Sequence, residues 1–278
     1  MRPQKSFRPR HLGLALGGTL TALLALAALV SLVWTPWPVA EVDMAAKLLP
    51  PSPAHWLGAD AFGRDIVSLL LVGARASIVA GVVAVGIGLV AGTALGLLAS
   101  ARRGWVEEVV MRLADFTFAF PAILSAIMLA AAFGPGLACA AIAIGIYNIP
   151  SFARITRAAA NAVWSREYVL AARACGKSAW AITWQHVLPN VAAQLTVQAT
   201  NRFAIAILAE AALSYLGLGT QPPQPSWGRM LSQAQTLLPQ APWLAVWPGL
   251  AIALSVLGLN LLGDGLRDLL DPKLARRH

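Results

Sequence analysis

Apolar residues run along this chain in long, almost uncharged blocks separated by short polar or Pro/Gly-rich breaks. Residues 12–35 carry no charge, and about 20 such residues suffice to cross a bilayer. That block exceeds the apolar core of a cleaved signal, about 7–15 residues, and Pro38 before Val39 and Ala40 makes a poor cleavage site. It reads as an uncleaved first helix behind a basic tail, residues 1–11, with Arg2, Lys5, Arg8 and Arg10. Residues 36–75 form a loop rich in proline (Pro36, Pro38, Pro50, Pro51, Pro53), with an apolar run at 66–71 expected to lie at the membrane interface. A second helix over 76–99 sets Ala80, Ala84, Gly88, Gly92 and Gly96 four residues apart. Small residues on one face let two backbones approach closely in lipid.

A third helix is expected over 109–133, kinked at Pro121, with Glu107 and Glu108 near its positive N-terminal end. Gly134, Pro135 and Gly136 turn the chain into a fourth helix, 137–152, with Pro150 near its inner end. A fifth helix follows over 191–218 and a sixth over 242–263, where Trp243 and Trp247 suit an interfacial belt. Residues 219–241 between them read as a second outer loop. The pattern therefore describes an all-α integral membrane protein with six transmembrane helices. Its main helical domain spans 76–266, and a short tail follows over 267–278.

One stretch breaks the pattern. Residues 165–190 form a basic, polar island that reads as two short helices interrupted at Gly176 and Lys177. Ser165 is a predicted N-cap for the first, with Glu167 in its first turn, and Ser178 for the second. Gly176 supplies the backbone freedom for a sharp change of direction. The island keeps apolar residues: Ala171, Ala172, Ala174, Cys175, Trp180, Ile182, Trp184, Val187 and Leu188. Two tryptophans are more than a dissolved loop needs, so the expectation is an apolar knob offered to a soluble partner, each buried side chain contributing about 1.5–3 kcal/mol.

Charge fixes the orientation. Only 12% of the 278 residues are charged and 58% are apolar, whereas soluble domains hold about 25% charged residues. With the N-terminus inside, cytosolic segments collect Arg102, Arg103, Arg112, Arg154, Arg157, Arg166, Arg173, Lys177, Arg267, Lys273, Arg276 and Arg277 besides the N-terminal four. Outer loops keep Lys47, Arg64 and Arg229, with Arg75 at the edge. This follows the positive-inside rule and places both termini and the island in the cytosol. The net charge of +9 is thus orientation information, and no nucleic-acid partner is expected.

Candidate chemistry is sparse. Cys139 and Cys175 make no CxxC, and His11, His55, His186 and His278 are scattered, so no metal site is expected. Gly176-Lys177-Ser178 imitates the end of a P-loop, but Ala171 stands where the first glycine belongs and no strand precedes it. No ATP site and no cofactor are therefore expected on this chain. Asp60, Arg64 and Asp65 read as turn and capping residues. Gln194, Gln198, Asn201 and Arg202 share one face of the fifth helix, lining either a water-filled path or the headgroup region. Glu210 lies deeper. It needs a partner from another helix or subunit, or a proton, because a charge there costs about 2.5–3.5 kcal/mol.

The run Ala171-Ala172-Arg173-Ala174-Cys175-Gly176, closed by Leu188-Pro189-Asn190, resembles the EAA loop of permease subunits of bacterial ABC importers. Leu170 stands where many members have glutamate, and His186 where many have isoleucine. Further stretches resemble the dipeptide, oligopeptide and nickel branch: His55 to Asp60 with Gly63-Arg64-Asp65, Ala209 to Ser214 with Leu216 to Gly219, Pro225 to Gly228, and Asn260 to Asp268. The resemblance implies a type I importer permease fold whose cytosolic coupling loop, 154–190, sits in a cleft of an ATPase. It implies an assembly of two permeases (the second a different, homologous chain), two cytosolic ATPases and an extracytoplasmic solute-binding protein. Ala171, Ala172, Arg173, Gly176, Lys177, Ser178, Trp180, Trp184, Leu188 and Pro189 would form the docking loop, and di- or oligopeptides fit the branch best. An ion-coupled transporter would need buried carboxylates in several helices. An intramembrane enzyme would need a nucleophile with its base at membrane depth. Neither set is present in the sequence.

Overall fold

The computed structural model describes residues 10–270, all helices and connecting turns with no strand among the described residues. Arg2, Lys5, Arg8, Lys273, Arg276 and Arg277 lie outside that range. The first helix, α1 (Arg10–Val33), packs along the last, α10 (Trp243–Leu270). Between them come α2 (Ile66–Arg102), α3 (Gly104–Ala119), α4 (Ala122–Phe133), α5 (Leu137–Trp164) and α6 (Glu167–Ala174). The chain continues through α7 (Ala179–Ile182), α8 (Leu188–Tyr215) and α9 (Trp227–Ala234). By length and apolarity α1, α2, α5 and α10 each suffice to cross a membrane, and α3 with α4 suffices as one bent pair. The sixth span is α8, 28 residues long, whose polar face keeps it below the same apolarity.

The α2 seam works as its spacing predicts. Ala80 and Ala84 are fully buried, and a Cβ on Gly88, Gly92 or Gly96 would come within 2.5 Å of Asn148, Ile149 or Ala153 of α5. Backbone meets backbone there, which makes α2 and α5 the spine of the bundle.

Three boundaries differ from the sequence expectation. The run 66–71 is the first turn and a half of α2 rather than a separate interfacial piece. Asp65 caps it through the Ser68 amide at 2.8 Å, and Ile66 and Leu69 are buried against α9 and α10. At 1.5 Å per residue α2 reaches about 55 Å, well beyond the bilayer core. At Pro121 the chain breaks rather than kinks: α3 and α4 meet at 84°, because proline lacks the N–H and its ring clashes with the preceding turn. Finally, α5 and α10 run about three and two turns beyond their predicted C-terminal ends, with Pro150 and Pro248 inside them.

The loops over residues 36–65 and 219–241 are folded. Residues 219–241 contain α9, capped by Ser226, whose Trp227 is buried and donates its indole N–H to the Leu70 carbonyl at 3.0 Å. Asp60 accepts from the Phe62 and Arg64 amides at 2.8 and 2.9 Å and pairs with Arg64 at 2.6 Å. Asp65 also takes the His55 ring nitrogen at 3.1 Å. These charges are turn chemistry, as expected. Burial, and after it the Arg64 guanidinium, lowers the Arg229 pKa from its ordinary value.

Candidate docking turn and the polar face of α8

The island forms a rigid handle. Its first helix, α6, ends in a Schellman turn: the Lys177 amide donates to the Ala172 carbonyl at 3.1 Å and Gly176 to Arg173 at 2.9 Å. Gly176 sits at φ +82°, the left-handed region that glycine alone enters freely. The Ser178 hydroxyl caps α7 by accepting from the Ala181 amide at 3.2 Å. Lys177 then reaches forward, Nζ to Gln185 Oε1 at 2.8 Å, across the bend. Thr183–Val187 is one turn of π-helix, and it feeds directly into α8 at Leu188 and Pro189.

Every residue from Arg173 to Trp180 is exposed. The handle is nevertheless anchored. Val169, Ile182 and Val187 are each 0% exposed and pack with Phe152, Trp164, Val191 and Leu195. Ile182 and Val187 were expected in the exposed knob. They face the bundle instead, because α7 and the π-turn lie with one apolar side against α5 and α8. Ser165 was expected as the N-cap of α6. It ends α5, its hydroxyl donating to the Ala162 carbonyl at 3.0 Å, and Arg166 takes the cap position without a side-chain bond. The Arg173 guanidinium lies 5.1 Å over the Trp164 ring and ties α6 back to α5.

Trp180 and Trp184 meet edge to face at 5.5 Å and are 71% and 51% exposed. Both line a groove between the C-terminal half of α2 and the N-terminal half of α8, so they lie on the bundle side of the handle and Gly176 forms its tip.

Two ion pairs tie α5, on which the handle packs, to α3. Arg157 of α5 bonds Glu107 of α3 at 2.7 Å, and Arg154 bonds Asp115. The sequence offers the two arginines as orientation signals and Glu107 for the helix dipole, and it gives Asp115 no role. Fifty and 39 residues separate the partners, and no local pattern announces such pairs.

The polar stripe of α8 divides. Gln198 and Arg202 both reach the Ser151 hydroxyl of α5, Gln198 at 3.4 Å. Gln194 is exposed. Asn201 turns the other way: a Cβ on Gly263 of α10 would lie 2.7 Å from its Oδ1. It packs into a helix contact and leaves the shared face. Glu210 is 0% exposed. The Ser214 hydroxyl donates to its Oε1 at 2.6 Å and the Thr220 hydroxyl at 3.3 Å, while the Thr220 amide donates to Ser214 at 3.0 Å. Its partners are therefore hydroxyls one turn on and just past the helix end. Among the described residues no cation pairs with it. The spacing Glu210-x-x-x-Ser214 was the available sequence signal.

A long-helix membrane bundle with an exposed, glycine-bent turn anchored between two spans is the architecture of a transport permease. Residues 84–276 match the binding-protein-dependent transport system inner membrane component, and the chain belongs to that family. It is 47% identical over 224 residues to the glutathione transport system permease protein GsiD of Pectobacterium atrosepticum, covering 81% of this chain and 74% of that one. It is 46% identical over 235 residues to the dipeptide transport system permease protein DppC of Alkalihalophilus pseudofirmus, covering 84% and 77%. The GsiD of Escherichia coli O157:H7 is 46% identical over 224 residues, covering 81% and 74%. The chain is an inner-membrane permease subunit of an ABC importer, working with a binding protein and an ATPase, and is not itself an enzyme.

Proposed function

We propose that this permease forms half of the pathway for di- or oligopeptides, glutathione among them, released by an extracytoplasmic binding protein. The names of its relatives support that substrate class. Two cytosolic ATPases bind ATP and magnesium, and a second, homologous permease supplies the other half. Both termini and the Gly176 turn lie in the cytosol, in keeping with the basic residues gathered at that end. A face of α3 bearing Trp105, Val109, Leu113 and Phe116 is exposed at helical spacing and suits the second permease.

One observation carries the mechanism. The segment from Ala171 to Ser178 is accessible at its tip and anchored at its base by the buried Val169, Ile182 and Val187. ATPase closure pushes the tip, and the anchored base passes the displacement to α5 and α8. Docking rests on Ala171, Ala172, Arg173, Gly176, Lys177 and Ser178. Leu188 and Pro189 join the handle to α8, and Trp180 and Trp184 sit at the membrane boundary. Gln194, Gln198 and Arg202 line the pathway on the side of Ser151.

The test is reconstitution of permeases, ATPases and binding protein in proteoliposomes, with uptake of labelled dipeptide, oligopeptide and glutathione. ATP-dependent uptake of at least one of them, abolished when the binding protein is omitted, is expected. Uptake without ATP, or none for any peptide, would overturn the reading.

A further inference from the structure

We infer that the groove at the inner ends of α2 and α8 holds one acyl chain of an anionic phospholipid, with the phosphate seated at Arg102. This goes beyond the transport reading and does not depend on which solute is carried. The groove measures about 870 Å³, and its walls are α2 from Leu89 to Arg102, α8 from Leu188 to Ala199, and Trp180 with Trp184. The fourteen residues of α2 from Leu89 to Arg102 span about 20 Å, about 5 Å more than one leaflet of a core about 30 Å thick. The groove thus matches one leaflet in length and ends at the level of the headgroups.

That end is built for an anionic headgroup. Arg102 lines the groove and pairs with no carboxylate among the described residues. Guanidinium matches phosphate geometry in two parallel hydrogen bonds. The edge-to-face tryptophan pair beside it is the residue type that settles at the headgroup boundary. Deeper in, the walls suit hydrocarbon. Ala94, Ala192 and Ala199 keep the space open. The hydroxyls of Thr183 and Thr196 are spent on the Ala179 and Ala192 carbonyls at 2.8 and 3.0 Å.

Direction separates this groove from the transport path. On α8, the groove residues Ala192, Leu195, Thr196 and Ala199 and the polar residues Gln194, Gln198 and Arg202 centre about 100° apart round the helix, so the two faces are distinct and adjacent. On α2, Ala94 is two residues from Gly92, which abuts α5. The groove therefore faces away from the α2–α5 spine and lies beside, not on, the polar face of α8. Hydrocarbon at this depth comes from lipid or from another helix, and Arg102 at the mouth favours lipid with a negative headgroup.

The full importer complex, reconstituted in phosphatidylcholine nanodiscs with or without phosphatidylglycerol, then transferred to detergent, is the material for native mass spectrometry. One retained phospholipid per copy of this chain is expected, with phosphatidylglycerol preferred about fivefold. Ala94→Trp fills the groove, and excluding three methylenes should lower retention about fiftyfold. Thr196→Trp enters from the opposite wall and should do the same, which covers the case in which the first variant fails to fold. Arg102→Gln should abolish the headgroup preference and leave the chain retained. Absence of a retained lipid, equal retention in the folded tryptophan variants, or a disulfide from Ala94→Cys to a cysteine in the second permease would each overturn the inference.

Discussion

Replacing Gly176 isolates the conformational role of the docking turn from packing. Its φ is +82°, and no atom lies within 4 Å of where a Cβ would stand. A side chain there meets nothing, so the whole penalty lies in the backbone. For a residue with a Cβ the left-handed conformation costs about 1–2 kcal/mol, and more for a β-branched one. Asparagine tolerates this region best among the others, so the order of retention should be Gly, Asn, Ala, Val. A penalty of 1–2 kcal/mol corresponds to about five- to thirtyfold less of the native turn. The strain need not reach the bundle, because the exposed segment can relax by opening the Lys177-to-Ala172 hydrogen bond alone. Thermal unfolding and membrane insertion should therefore stay near wild type while coupling falls. The assay is ATP hydrolysed per peptide imported in proteoliposomes, with the melting temperature measured on the same preparations. Equal coupling in Gly176→Asn and Gly176→Val would refute the argument, and so would a Val variant that fails to insert.

Three other outcomes test the bundle. Gly92→Ala and Gly96→Ala should each cost about 1–3 kcal/mol by overpacking, since their Cβ atoms would press on α5 carbonyls at 2.5 Å; Gly86→Ala, with nothing within 4 Å, should be silent in the same melting experiment. Glu210→Gln keeps an acceptor for Ser214 and should be nearly neutral, whereas Glu210→Leu strands the Ser214 and Thr220 hydroxyls and should cost about 1–3 kcal/mol; equal melting temperatures would deny the hydroxyl cluster a role. In double-mutant cycles the half-buried Arg157–Glu107 pair should show the larger coupling energy, while the more exposed Arg154–Asp115 pair stays below about 1 kcal/mol.

The local signals read well where physics is local. The 12–35 block, the small-residue seam of α2, the Gly176 bend, the Ser178 cap and the Asp60 and Asp65 turn chemistry each depend on residues within one helix or turn. The long apolar helices and the exposed bend at Gly176 follow from those alone, and the family resemblance was carried by contiguous motifs. What needed the folded chain was contact across distance. Asn201 and Gln198 share a helical stripe, yet one meets Gly263 on α10 and the other Ser151 on α5, because which neighbour faces an arc of helix is set by bundle assembly. Ile182 and Val187 differ from Trp180 only by the side of α7 that α5 covers. The buried α9 and the pairing of Arg157 with Glu107 likewise arise where segments far apart in sequence meet. Hydropathy and chain stiffness, both short-range, thus determined the spans and the bend from the sequence alone; only tertiary packing decided which face each side chain serves.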